Sequence, residues 1–130
     1  MIELLEYARN LIDAVPVGLV TYDLFGQCVS ANRAATRILG LNLEQLLSQN
    51  FRAIDSWASS GMLETAETTL STGWGGQLSA SLPTGYRSSA RLDSRFETFV
   101  SGRLRYLLHV VIDAPVPGTR PLPEAGREND

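Results

Sequence analysis

The chain has 130 residues, 44% of them hydrophobic, and a formal charge of -3, which suits one domain around one core and excludes a disordered chain. The acidic balance argues against a nucleic-acid binder, which carries a basic face. All 11 basic residues are arginine, so there is no Schiff-base amine, phosphate-loop lysine or kinase-type nucleotide lysine. Cys28 is the only thiol and His109 the only histidine; neither an internal disulfide nor a nitrogen- or sulfur-rich zinc site can be assembled, and no metal is expected.

Residues 1–15 place Leu4, Leu5, Ala8, Leu11, Ile12 and Val15 at helical three-and-four spacing, an amphipathic helix that ends before Pro16. Its apolar face is expected to pack on its own sheet and to add a contact to a second copy. Glu3 and Glu6 stand where a signal peptide would be positive, and no apolar run nears the roughly 18 residues of a membrane span. A cytoplasmic domain without membrane contact is the expectation.

Val17, Leu19, Val20 and Tyr22 read as a strand, and Asp23–Gly26 carry the chemistry of a reversing turn. Cys28, at the start of the returning strand, reads as a small buried packing residue. Asn32 ends that strand and is placed to cap helix 33–39, which Gly40 terminates. Asn42 with Gln45 resembles a capping box for a short helix through Leu47. The stretch "NFRAIDSW" reads as one irregular turn, followed by a helix over about residues 60–72 with Met62, Leu63, Ala66 and Leu70 on one side and Gly73 at its end.

The period then changes to two. "QLSASL" alternates, "PTGY" turns, and "SARLDSRFETF" sets Ala90, Leu92, Ser94, Phe96 and Thr98 against Arg91, Asp93, Arg95 and Glu97. The alternating charges read as a solvated strand face. "LRYLLHVVID" is the most apolar strand and belongs near the centre of the sheet. Its purely apolar set, Leu108, Val110 and Ile112, is expected to face the core, which puts His109 on the outer side beneath the N-terminal helix. Trp74, beside Gly73, Gly75 and Gly76, is expected to anchor the entry to the "QLSASL" strand. From residue 115 the chain is proline-rich without apolar period and reads as a linker or disordered tail.

Two strands, short helices, then three antiparallel strands make an α+β pattern with helices on one face of a five-stranded sheet. The segment "LIDAVPVGLVTYDLFGQCVSANRAATRILGLNLEQLLSQNF", with "LPTGYRSSARLD" and "HVVIDA", resembles a PAS domain, a small sensory module of bacterial signalling proteins. The likeness divides the chain into a helix at 1–15, a PAS-like domain at 16–114 and the tail at 115–130. The family's usual closing Asp-Ile-Thr is incomplete, since Ala114 and Pro115 follow Asp113.

The resemblance implies a sensory or homodimerising module without catalysis, regulating a histidine kinase, a diguanylate cyclase or a transcriptional regulator outside this chain. Flavin adducts in the family form on a helix cysteine that "SQNFRAID" lacks, and haem takes a histidine from a helix that here reads "GMLETAETTLSTG". Neither haem nor a flavin adduct is expected; a small metabolite or no ligand is, with a non-covalent flavin left open. For a metabolite, Tyr22, Arg52 and Trp57 are the candidate contacts, with Leu4, Leu5, Ala8, Leu11 and Ile12 the candidate dimer residues. The other reading is a stand-alone α+β binding or enzymatic domain of the cone-shaped barrel type, with Asp55 or Glu64 as acid or base.

Overall fold

The computed structural model describes residues 2–113. Helix α1 (Ile2–Ala14) leads into strands β1 (Gly18–Tyr22) and β2 (Cys28–Ala31). Helices α2 (Arg33–Leu39), α3 (Leu43–Leu47), α4 (Asp55–Ser60) and α5 (Met62–Thr72) follow, with a 3-10 turn at Phe51–Ala53. Strands β3 (Gly76–Leu82), β4 (Ala90–Ser101) and β5 (Leu104–Asp113) close the fold. The sheet is antiparallel in the order β2-β1-β5-β4-β3, so β5 is its central strand, as its apolar content predicts. The proline-rich segment 115–130 lies outside the described residues.

The local signals explain these elements. Asp23 Oδ1 accepts from the Phe25 and Gln27 amides, and Gly26 takes the left-handed φ of +92° that the turn requires. Asn42 and Gln45 form the expected reciprocal capping box on α3. Gly40 and Gly73 end α2 and α5 in the left-handed conformation. The expected irregular turn is instead the 3-10 turn plus α4. Gly61, at φ +93°, breaks the chain between α4 and α5, so the helix expected over 60–72 starts at Met62.

One face of the sheet carries the core. Val20, Tyr22, Leu92, Phe96, Leu107 and Val111 point inward against Ala35, Leu46, Met62, Ala66 and Leu70 of the helices. The opposite face presents Arg91, Asp93, Arg95 and Glu97 on β4, as the alternation predicts, and Leu108, Val110 and Ile112 on β5.

Three expectations need correction. His109 is 3% exposed and faces the core, not the outer side. The register pairs it with Phe96 and Val20, where its ring stacks on a buried ring and bonds Ser94, so an imidazole is accommodated inside and the purely apolar set is left outside. Trp74 is 78% exposed and anchors nothing. The strand start is seated instead by Gly76, whose bare Cα lets β3 approach Thr65 so closely that an added Cβ would lie 2.7 Å from the threonine methyl. Finally, α1 does not bury its stripe on its own sheet, for none of its residues is buried.

Candidate functional site

Two regions have the composition of a functional site: the interior between sheet and helices, and the outer face beside α1. In the interior, β1 contributes Tyr22, the 3-10 turn Phe51, α4 Trp57, β4 Phe96 and β5 His109. Tyr22 stands edge-on to Phe51 at 5.2 Å and to Trp57 at 5.6 Å between centroids, while Phe51 stacks on Trp57 at 5.3 Å. Trp57 meets His109 edge-on at 5.3 Å, and His109 stacks on Phe96 at 4.7 Å. Such offset and edge-to-face pairs add attraction beyond area burial.

The polar atoms of this cluster are electrostatically quiet. Burial holds the His109 imidazole down to about 3, so it is neutral at pH 7. Its Nε2 lies 2.8 Å from Ser94 Oγ, while Nδ1, like Thr69 Oγ1 on α5, is buried without a partner among the described residues. Burial raises the Tyr22 phenol beyond its usual range and pushes the Cys28 thiol up to about 11, leaving Cys28 a protonated packing group and not a nucleophile.

Of the three residues singled out for a ligand, the structure brings Tyr22 and Trp57 together and leaves Arg52 outside. The Arg52 guanidinium lies 5.0 Å over the Phe51 ring, on the solvent side of the cluster. There Nε and Nη2 bond Glu67 at 2.5 and 3.0 Å, and Nη1 bonds the Leu24 carbonyl at 2.9 Å. The bond from Arg52 lowers the Glu67 carboxyl below its ordinary value. Arg52 thus ties the β1–β2 hairpin to α5. Sequence reading missed Phe51, Phe96 and His109 as cluster members, although Phe96 and His109 were legible as strand positions; Glu67 gave no signal, being 15 residues from Arg52.

Asn32 is a second organising residue. Its Oδ1 accepts from the Ala35 amide, the expected cap, and also from Leu19 N; its Nδ2 donates to the Ile12 and Val17 carbonyls. The end of α1, the start of β1 and the start of α2 meet on this one amide. Asp13 adds a bond from the Arg33 backbone N–H.

On the outer side, α1 stands off the sheet and leaves a groove of about 1060 Å³. Leu5, Ala8 and Ile12 line it from the helix, and Leu19, Phe99 and Leu108 from the sheet. Leu4, Leu5, Leu11 and Ile12 remain 46–64% exposed, a contiguous apolar surface of the kind that marks an interaction site. Among the described residues, no group of three or more His, Cys, Asp or Glu could hold a metal ion. Asp55 and Glu64 sit in the first turns of separate helices. No described helix is long and apolar enough to cross a membrane.

A family profile described as "PAS fold" matches residues 6–68, from α1 into α5. Solved structures extend the likeness across nearly all of the described chain. The chain has the PAS fold. A PAS domain from a two-component sensor histidine kinase superposes with a TM-score of 0.70 at 17% identity, covering 88% of this chain and 100% of that one. The PAS domain of an HTR-like protein from Haloarcula marismortui gives 0.69 at 16% identity, with 88% and 100% covered. The PAS domain of Bordetella pertussis BvgS gives 0.56 at 19%, with 87% of each chain covered. No sequence match to a curated protein was found. Within the PAS fold, the aromatic cluster occupies the region between sheet and helices, and the α1 groove lies on the opposite face of the sheet.

Proposed function

We propose that this chain is a sensory module of bacterial signal transduction that homodimerises through α1 and the outer sheet face and regulates an effector lying outside it. On this reading the effector is a histidine kinase, a diguanylate cyclase or a transcriptional regulator, and the module works in the cytoplasm. The observation that carries the reading is the distribution of apolar surface: β5 turns its purely apolar set, Leu108, Val110 and Ile112, outward, toward the side where α1 leaves Leu5, Ala8 and Ile12 over an open groove. An apolar sheet face and an apolar helix stripe that meet but do not cover each other are what a second copy would bury. The similar PAS domain of a two-component sensor histidine kinase supports the regulatory part of the reading.

A second reading, a small polar metabolite held between sheet and helices, is favoured by one observation. His109 Nδ1 and Thr69 Oγ1 are buried polar atoms without a partner among the described residues, and a small polar molecule would satisfy them. Tyr22 and Trp57 would be its walls, and Arg52, outside Phe51, would act by holding the hairpin closed. Native mass spectrometry with an absorption spectrum tests both. The dimer reading expects twice the chain mass without adduct; an adduct that disappears in a Trp57→Ala variant would move the assignment to the metabolite.

A further inference from the structure

The charges on the outer face of β4 have an order that the fold itself does not use. Arg91, Asp93, Arg95 and Glu97 alternate in sign, point away from the core, and among the described residues none of them forms an ion pair within the chain. Their bonds are to neutral neighbours, Asp93 to Ser79 and Arg95 to Gln77. Laid antiparallel on itself about Ser94, this stripe is self-complementary. Arg91 meets the partner's Glu97, Asp93 meets the partner's Arg95, and the symmetry repeats both pairs. Shifting the centre by one residue either way sets arginine against arginine or aspartate against aspartate.

The neighbouring strands agree with the same centre. Ser94 pairs with Val111 on one side and Leu78 on the other. A two-fold axis lying between the sheets, across the strands at that level, sets β3, β4 and β5 each over its own copy. Val110 then falls on the partner's Ile112, and Gln77 on the partner's Ser79, apolar on apolar and polar on polar. A depression of about 370 Å³ is centred there, lined by residues 77–79 of β3, 93–95 of β4 and Val110 and Ile112 of β5. Two sheets packed face to face lie about 10 Å apart, a gap that arginine and carboxylate side chains reach across.

We infer that the homodimer is isologous, with the β4 strands antiparallel across the outer faces and the two-fold axis at Ser94, so that the Arg91–Asp93–Arg95–Glu97 stripe reads its own copy and sets the register. This rests on the homodimer reading above and adds to it a geometry and a specificity device. Rim and face charges of this kind select partner and register by rejecting like-charge alignments.

Charge exchange tests the register. Asp93→Arg alone and Arg95→Asp alone each turn two ion pairs of the symmetric dimer into two repulsions, and sedimentation velocity should find dimerisation weakened about tenfold or more. An equimolar mixture of the two variants restores both pairs in a mixed dimer and should recover wild-type association. Glu97→Arg mixed with Arg95→Asp carries the same net charges but retains like-charge contacts, and should not recover. Circular dichroism monitors folding; should Asp93→Arg fail through loss of its Ser79 bond, Arg91→Glu mixed with Glu97→Arg makes the same test at the outer pair. Recovery confined to the matched mixtures supports the register. Variants that dimerise like the wild type, or recovery in the mismatched mixture, overturn it while leaving the dimer in place; a monomeric wild type overturns both.

Discussion

Replacing Asn32 by alanine removes four hydrogen bonds from a residue that is 3% exposed. Helix capping alone is worth about 1 kcal/mol, the value that sequence reasoning assigns. The structure adds the Leu19 amide, which loses its acceptor beneath the α1–β1 connection, at about 1 kcal/mol or more for an orphaned donor. The Ile12 and Val17 carbonyls are partly accessible and can turn to water, so they contribute about 0.5 kcal/mol each. The expected loss is about 3 kcal/mol. With a urea slope of about 1.5 kcal/mol per molar, the midpoint falls by about 2 M. Asn32→Ser separates the terms: its hydroxyl still caps the Ala35 amide but is too short to reach the Leu19 amide or the two carbonyls as well, and about 2 kcal/mol of the loss should remain. A midpoint for Asn32→Ala that corresponds to only about 1 kcal/mol, with full recovery in the serine variant, would refute the junction role and leave a simple cap.

Acid should act through His109. Its folded value of about 3 lies below its ordinary 6.5, so between those limits the unfolded chain binds the extra proton. Stability therefore falls as pH falls, by up to about 1.4 kcal/mol per unit. His109→Phe keeps a ring stacked on Phe96 and should flatten the profile between pH 6.5 and 5, above the range of ordinary carboxyls; an unchanged profile in urea titrations sinks this assignment. Arg52→Gln should cost less than about 1 kcal/mol, because the ion pair with Glu67 is well exposed. Its effect should appear as faster hydrogen exchange at residues 24–27, since the bond to Leu24 holds the hairpin; unaltered exchange there would remove the clamp from the account.

Much of the fold is legible because its signals are local. The Asp23–Gly26 turn, the Asn32 cap, the Asn42–Gln45 box and the alternation on β4 each depend on residues within a few positions of one another. The failures share a cause of the opposite kind. His109 is misplaced because alternation identifies two faces of β5 without saying which is inside, and hydrophobicity chooses wrongly when the outward set is the more apolar of the two. The choice is made by Phe96 and Ser94 on the neighbouring strand. Trp74 is misread because its place beside Gly73, Gly75 and Gly76 at the strand entry suggests an anchor, whereas the close approach at Gly76 seats the strand. Of the site, Tyr22 and Trp57 were legible as interior aromatics. Arg52 was legible only as a polar flank, because its partners Leu24 and Glu67 are distant in sequence.

The central claim is that the apolar stripe of α1 is covered by a second copy. Sedimentation velocity across a concentration series tests it most directly, comparing the intact chain with one lacking residues 1–10, a truncation that leaves the Ile12 carbonyl and Asp13 bonds in place. The account predicts a dimer for the intact chain and a folded monomer, or a markedly weaker dimer, for the truncated one. A monomeric intact chain, or a truncated chain that associates just as tightly, would contradict it.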